Sequence, residues 1–180
     1  MDNRKDYMEQ WKGKNILEDV EKAVGGLADQ LISRKEFSMI LSKLNIKFTA
    51  NSSKRLHRYC DAGLLPKVKM VNGQQRYTIE HLKLWIAIGL MKTYFIHGKV
   101  NEFIHQYKLR EPGITDQFLS NIYFCCNKSP DDNGQSIIYS SLKLLDPKNL
   151  VKKRQLLLLK IEKIQKSLDE VTALIIKDVI

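Results

Sequence analysis

Apolar residues recur along the chain at spacings of three and four positions, which is the period of an amphipathic α-helix. The first such run precedes residue 33 and consists of Leu17, Val20, Val24, Leu27 and Leu31. The pair Gly25-Gly26 interrupts this run, and a glycine inside a helix costs about 1 kcal/mol relative to alanine, so we expect a break there. This N-terminal extension is expected either to pack on the domain that follows or to offer a self-association surface.

Capping signals indicate further helices. Ser33 and Glu36 have the spacing of a capping box at a helix N-terminus. Thr78 is the predicted N-cap of a strongly apolar helix, which Gly98 closes. These signals predict three helices, over residues 34–44, 79–96 and 99–107.

A basic helix is predicted between the first and second of these. Asn51 or Ser52 is the predicted N-cap, Gly63 ends the helix, and Pro66 prevents its continuation. At 100° per residue, one face of this helix is apolar and the opposite face is cationic. The inward face holds Leu56, Tyr59 and Cys60, and the outward face holds Lys54, His57, Arg58 and Asp61, with Arg55 on the flank.

A β-hairpin is predicted around Asn72-Gly73, a dipeptide that suits the two positive φ values of a type I′ turn. A two-residue loop fixes the register as Val71 opposite Gln74, Met70 opposite Gln75, Lys69 opposite Arg76, and Val68 opposite Tyr77. Lys69 and Arg76 then place like charges across from each other, which is destabilising without a counter-ion. A phosphate would supply that counter-ion, whereas a solvated hairpin with surface lysines is the plainer interpretation.

Composition places the chain among soluble globular proteins. Its 180 residues are 43% hydrophobic and 28% charged. No run approaches the roughly 18 apolar residues of a membrane-spanning helix, and the charged N-terminal segment lacks the apolar core of a signal peptide. Three cysteines, two of them adjacent, form no disulfide framework. We therefore expect a cytoplasmic protein with no membrane partner.

The positive charge is concentrated in one segment. Residues 34–110 hold 15 lysines and arginines against 4 acidic residues, whereas the rest of the chain holds 15 against 16. Such concentration is typical of a module that binds a polyanion, because neutralising phosphates releases condensed counter-ions. We expect nucleic acid rather than an anionic membrane as the partner, since no basic amphipathic helix with bulky apolar insertion residues occurs there.

The basic helix and hairpin together resemble the winged helix-turn-helix domain of the MerR-type transcription regulators. The resemblance covers about residues 34–105 and is clearest from Tyr59 to Pro66. The residues that match are Leu56, His57, Arg58, Tyr59, Gly63, Leu64, Leu65 and Pro66, followed by Asn72, Gly73, Gln75, Arg76 and Tyr77. His57 stands where the family usually has arginine, and Gln75 stands where the wing arginine usually lies.

The resemblance implies a recognition helix and a wing that contact double-stranded DNA. The candidate DNA-binding residues are Ser53, Lys54, Arg55, His57, Arg58, Tyr59, Lys67, Lys69, Asn72, Gln75 and Arg76. Proteins of this family dimerise through a C-terminal helix that pairs antiparallel with its mate. We therefore expect a homodimer.

The C-terminal stretch carries its own periodic signal. Apolar residues alternate spacings of four and three for nearly three heptads, which predicts a coiled-coil helix with a partner helix. The candidate oligomerisation residues are Leu157, Ile161, Ile164, Leu168, Val171 and Ile175. A helix packed within its own globular domain is the alternative, because Leu156, Leu158 and Leu159 add apolar area beside this row.

The predicted fold is mainly α, with a MerR-like winged helix-turn-helix at its centre. Between residues 108 and 149, helices are predicted over 116–127 and 136–145, with a loop over 129–135. No known effector-sensing motif occurs there, and whether an effector binds is open. Four segments are predicted: an N-terminal helical extension (1–33), the winged domain (34–107), a helical connector (108–149) and a coiled-coil helix (150–180).

Other chemistry is not expected. Cys125 and Cys126 are adjacent and no Cys-x-x-Cys or Cys/His pair with ligand spacing accompanies them, so we expect no metal site. No phosphate-cradling glycine loop or nucleophile motif occurs, so we expect neither a cofactor nor an enzyme. The leading hypothesis is a nucleoid-associated transcription regulator. The alternative is a plasmid or chromosome partition factor that couples a similar winged helix to a coiled coil.

Overall fold

The computed structural model describes residues 11, 14–27, 30–129, 132–146, 158–159 and 161–168. The chain divides into two compact units, Met1–Leu145 and Asp146–Ile180. The described part is mainly helical, with a small two-stranded antiparallel sheet. The helices are α1 (Ile16–Val24), α2 (Arg34–Lys43), α3 (Ala50–Asp61), α4 (Ile79–Tyr94), α5 (His97–Gln106), α6 (Ile114–Lys128) and α7 (Gly134–Lys143), and the strands are β1 (Lys69–Val71) and β2 (Gln74–Arg76).

Helix α1 packs inside the first unit. It buries Ile16, Val20 and Val24 and contacts α2, α4 and α6. The helix ends at Gly25, whose φ is +56°, and a short 3₁₀ turn follows. The expected break at the glycine pair is therefore confirmed, because only a residue without Cβ adopts this conformation at low cost. The apolar face of α1 is used within the unit rather than presented as a second self-association surface.

Capping explains where α2 and α3 begin. The Oγ of Ser33 accepts from the Glu36 N–H at 3.2 Å, and the Glu36 carboxylate accepts from the Ser33 N–H at 2.6 Å, which confirms the predicted capping box. The predicted cap of α3 was wrong. Thr49 is the extended residue before the helix, and its Oγ1 accepts from the Ser52 N–H at 3.3 Å. Asn51 and Ser52 consequently lie inside the first turn.

Helix α4 is the centre of the unit. Its side chains are buried almost all the way round the helix, and α1, α5, α6 and α7 pack against it. The helix ends at Tyr94 and not near residue 96, because Phe95 and Ile96 are both extended. The Phe95 ring packs edge-on against Phe103 and Tyr139, at centroid distances of 5.2 and 5.0 Å. Gly98, the predicted stop of α4, therefore lies within α5.

The segment expected to connect the winged domain to the coiled coil belongs to the same unit. Helices α6 and α7 pack on each other and on α4, and Lys83 on α4 forms an ion pair with Asp116 on α6 at 2.9 Å. The N-terminal extension, the winged domain and the connector were predicted as separate segments. In the structure they belong to one compact unit, Met1–Leu145.

In the second unit, residues 158–159 and 161–168 are helical. Ile161, Ile164 and Leu168 are 60%, 68% and 59% exposed, so these three positions of the predicted coiled-coil row present apolar side chains on the helix surface. Leu157, Val171 and Ile175 lie outside the described residues. No helix in the described part of the chain is long and apolar enough to cross a membrane.

Candidate nucleic-acid interface

Helix α3 has the two faces that its sequence predicts. Leu56 is fully buried, whereas Lys54, Arg55 and Arg58 are exposed. Among the described residues, no carboxylate forms an ion pair with any of these three cations. The outward face of α3 therefore carries positive charge that nothing in the described unit neutralises, which is the condition for attracting a polyanion.

Two candidate residues on α3 do not face outward. Ser53 is 3% exposed and Tyr59 is 6% exposed. Ser53 lies three residues before Leu56 and seven before Cys60, so it shares their inward face. The Tyr59 hydroxyl accepts a hydrogen bond from Lys92 of α4. The prediction that Ser53 and Tyr59 contact DNA is corrected, because packing removes both side chains from the surface. The third residue of this set, His57, is half-buried.

The turn that ends α3 is held rigidly. Gly63 has a φ of +68°, and the N–H groups of Leu64 and Leu65 both donate to the Tyr59 carbonyl, at 2.8 and 3.1 Å. Leu64 and Leu65 are each 1% exposed, so the residues after the turn anchor it in the core. The Arg110 guanidinium also donates to the Gly63 carbonyl. These contacts fix the direction in which the chain leaves α3.

His81 joins this turn to the start of α4. Its Nδ1 accepts from the Thr78 N–H at 3.1 Å, and its Nε2–H donates to the Pro66 carbonyl at 3.1 Å. His81 is 1% exposed, and this burial lowers the pKa of its imidazole, although the hydrogen bond to Pro66 opposes the shift. A neutral imidazole therefore ties the segment after α3 to the N-terminus of α4.

The hairpin projects from this framework with the predicted register. Lys69 pairs with Arg76, Met70 with Gln75, and Val71 with Gln74. Asn72 and Gly73 have φ values of +51° and +71°, as the predicted turn requires. The tip and strand β1 are exposed, with Met70 at 61%.

The base of the hairpin is anchored differently from the prediction. Tyr77 pairs with Ile32, not with Val68: the Ile32 N–H donates to the Tyr77 carbonyl at 2.8 Å, and the Tyr77 N–H donates to the Ile32 carbonyl at 2.9 Å. Tyr77 is fully buried, and its ring lies 5.4 Å from that of Phe37. The exposed tip therefore stands on a rigid base, which is how a scaffold fixes the position of a binding loop.

The like-charged pair of the hairpin is only partly compensated. The Arg76 guanidinium donates to the Gln74 side-chain carbonyl at 2.9 Å. The pKa of the Glu36 carboxyl is held below its usual value, first by hydrogen bonds from Ser33 and to a smaller extent by the positive charge of Arg76. Lys69 and Lys67 are exposed and form no ion pair among the described residues. Positive charge thus remains on the hairpin as well as on α3.

Gln75 occupies the position at which the MerR-type regulators, the family that the sequence resembles, usually have the wing arginine. The Gln75 side chain turns inward. Its amide oxygen accepts from the Tyr77 hydroxyl at 3.2 Å, and the side chain is half-buried. Asn72, by contrast, is exposed at the tip. Gln75 therefore supports the hairpin base, and the exposed polar side chains of the hairpin are those of Lys67, Lys69, Asn72 and Gln74.

Sequence reasoning missed two cations. Lys47, in the turn before α3, and Lys92, on α4, line a cavity together with Arg55. Lys92 lies seven residues after Trp85, so the two share a face of α4, and this spacing was the available signal. It was not decisive, because α4 is apolar on nearly every side and the sequence indicates no single face.

The cysteines offer no reactive group or metal site in the described part of the chain. Cys125 and Cys126 are both buried, at 8% and 3% exposure. Burial raises the pKa of the Cys60 thiol to about 11, with a smaller contribution from Asp61, so this thiol stays protonated. No group of three His, Cys, Asp or Glu residues is placed to hold a metal ion within the described residues.

Comparisons of the chain with protein-family models, with curated proteins and with solved structures give no match in any of the three. The functional argument therefore rests on the geometry and charge of the surface described above.

Proposed function

We propose that the protein is a sequence-specific double-stranded DNA-binding transcription regulator that acts as a homo-oligomer. The DNA-binding domain is a MerR-like winged helix-turn-helix, with α2 and α3 as the two helices and the β1–β2 hairpin as the wing. The observation that carries this proposal is the unneutralised cationic face of α3, formed by Lys54, Arg55 and Arg58, on a helix whose end and following hairpin are anchored in the core.

The charges assign different roles to the helix and the hairpin. An α-helix fits the major groove of B-DNA, where an arginine on its outward face can bind the O6 and N7 atoms of a guanine. Arg58 is exposed in the last turns of α3 and takes this role. Arg76 and Lys69 are directly opposite on the hairpin, and a DNA phosphate lying between them would relieve their repulsion. The hairpin therefore positions the protein, and α3 reads the sequence.

The second unit supports the proposed oligomerisation. One winged helix covers only a half-site, and a two-fold dimer that presents two recognition helices to successive major grooves increases specificity without new contacts per domain. Ile161, Ile164 and Leu168 are exposed on one helix at coiled-coil spacing, which favours a second copy of the chain as their partner.

The alternative, a partition factor, is favoured by one further observation. Leu158 and Leu159 are 50% and 56% exposed beside the coiled-coil row, so the helix presents more apolar surface than a two-stranded coiled coil covers. A second protein could occupy that surface. A map of binding sites across the genome separates the two functions, since single promoter sites indicate a regulator and clustered sites with spreading indicate partition.

The salt dependence of DNA binding tests the electrostatic basis. With about six phosphates neutralised per protomer, the logarithm of affinity should fall against the logarithm of salt concentration with a slope of roughly −5 per protomer. The measurement is a fluorescence-anisotropy titration of the full chain on a duplex selected from a random pool. An affinity that barely changes between low and moderate salt would refute the proposal.

Two arginine substitutions test the separate roles. Arg58→Ala should weaken binding to the selected duplex by about 1–3 kcal/mol and relax the preference at one or two base pairs. Arg76→Ala should weaken binding to all duplexes alike. Lys108→Ala is the matched control, because Lys108 is exposed, lies on neither α3 nor the hairpin and already pairs with Glu111 at 3.2 Å. Equal and sequence-independent losses from Arg58→Ala and Arg76→Ala would show that α3 reads no bases.

A further inference from the structure

A cavity of about 320 Å³ opens between α3, α4 and the turn that precedes α3. Helix α4 contributes the face on which Trp85, Gly89 and Lys92 lie, and α3 contributes the face with Arg55 and Tyr59. The cavity lies at the lower end of the roughly 300–1,000 Å³ typical of small-molecule sites, which fits a ligand of one or two rings.

One wall of the cavity is aromatic. The Trp85 ring lies 5.6 Å from the Tyr59 ring at an angle of 44° and 5.8 Å from the Phe48 ring at 67°. Trp85 is half-buried, so part of the indole is open to the cavity. Gly89, one turn after Trp85, adds no side chain and leaves room in front of the indole. The wall therefore offers a flat apolar surface on which a planar ring can stack.

The rim of the cavity is cationic. Lys47, Arg55 and Lys92 all line it, and none of its described lining residues is acidic. The ammonium of Lys92 is fixed in place, because it donates to the Tyr59 hydroxyl and lies 4.9 Å from the centroid of the Tyr59 ring. An oriented cation beside an aromatic wall favours a ligand that joins a negative charge to a planar ring.

We propose that this cavity binds a small planar aromatic carboxylate, with the ring stacked on Trp85 and the carboxylate on Lys92 and Arg55. The site does not depend on DNA binding, but its regulatory consequence rests on the proposed function. Since Arg55 belongs to both the cavity and the outward face of α3, a bound anion removes positive charge from the DNA-binding surface. The carboxylate and DNA therefore weaken each other's binding by the same factor.

Ligand-observed ¹⁹F NMR of the full chain with 4-fluorobenzoate tests the site, and 4-fluorobenzyl alcohol is the neutral probe of matched shape. We expect saturable binding of 4-fluorobenzoate, at least about tenfold tighter than that of the alcohol, because a charge-assisted hydrogen bond is roughly twice as strong as a neutral one. Equal affinities, or no saturation by either probe, would overturn the proposal. Displacement of the probe by equimolar inorganic phosphate would also overturn it, because the site would then recognise charge without the ring.

Variants locate the binding. Lys92→Met should weaken 4-fluorobenzoate about tenfold and leave the alcohol unchanged. Lys99→Met is the matched control, because Lys99 also lies over an aromatic ring, 5.2 Å from the centroid of Phe103, but lines no part of the cavity. Gly89→Leu should fill the cavity and abolish binding of both probes, and leucine is also the better helix former. Normal binding by a folded Gly89→Leu variant would place the ligand elsewhere.

The effect on DNA is measured by anisotropy at constant ionic strength, with sodium chloride replacing sodium 4-fluorobenzoate in the control. 4-Fluorobenzoate should lower the affinity of the wild type for the duplex several-fold. The affinity of the Gly89→Leu variant for the same duplex should not change when 4-fluorobenzoate is added. If 4-fluorobenzoate binds the cavity but the protein binds no duplex in its absence, the site stands and the proposed function fails. If both bind without mutual effect, the regulatory coupling is refuted.

Discussion

The buried imidazole of His81 gives the domain a defined response to pH. His81 is 1% exposed and holds Thr78 at the start of α4 and Pro66 after α3 through its two ring nitrogens. The substitution His81→Gln keeps a side-chain acceptor for the Thr78 N–H, because glutamine also completes a capping box. It removes the hydrogen bond to Pro66 and the titratable group. The variant therefore isolates the link between α3 and α4.

The magnitude follows from burial. Losing a buried hydrogen bond and leaving its partner unsatisfied costs about 1–3 kcal/mol, so His81→Gln should lower the free energy of unfolding by this amount at pH 7.5. The pKa of His81 is lowered in the folded state from its ordinary value of 6.5. Above pH 6.5 both states hold neutral histidine, and the full stability is present. As the pH falls below that value, the unfolded state takes up a proton that the folded state resists, so stability is lost.

Urea unfolding followed by circular dichroism measures this response. The difference in unfolding free energy between the wild type and His81→Gln should be largest at pH 7.5 and should narrow as the pH falls from about 6.5 towards 5. His105→Gln is the matched control for the substitution itself, because His105 is exposed on α5, and this variant should keep the unfolding free energy of the wild type at pH 7.5. A constant difference between wild type and His81→Gln across this range would refute the assigned neutral, buried imidazole.

Two further predictions concern packing and assembly. Asp116→Ala removes the nearer of the two carboxylates that pair with Lys83, whose side chain is only 10% exposed, and leaves Glu80 at 3.6 Å. It should cost about 1–3 kcal/mol in urea unfolding, whereas Glu111→Ala, in an exposed pair, should cost less than about 1 kcal/mol. Equal costs would contradict the burial argument. Leu168→Lys should give a smaller species in light scattering, lose binding to the specific site and keep weak, salt-sensitive binding to DNA. Lys166→Glu, at an outer position of the helix, is the control and should keep the oligomer. An unchanged oligomer in Leu168→Lys would place the dimer contact elsewhere.

Local chemistry was enough to predict several elements correctly. The capping box of Ser33 and Glu36 and the turn at Asn72 and Gly73 each depend on residues within four positions of one another. The hairpin register up to Lys69 and Arg76 follows from that turn alone. Elements whose determining contacts lie within a few residues along the chain can therefore be predicted from the sequence.

Contacts between distant segments were not predictable in this way. Tyr77 was expected opposite Val68, but it pairs with Ile32, 45 positions away in the sequence. Strand β2 ends at Arg76, and the Tyr77 side chain is buried in the core. The boundary between α4 and α5 was misplaced for the same reason, since Phe95 leaves the helix to pack against Phe103 and Tyr139. A glycine at position 98 is a weaker determinant than this aromatic cluster.

Tyr59 shows how two kinds of sequence reasoning can disagree at one residue. Its helical position predicted an inward side chain, whereas its place in the family motif made it a candidate for DNA contact. The structure follows the helical period, because Tyr59 is 6% exposed and packs against Trp85. Yet its hydroxyl holds Lys92, a cation beside Arg55 in the same cavity. Tyr59 therefore acts on the charged surface through the residue that it positions, a role that neither the period nor the motif predicts.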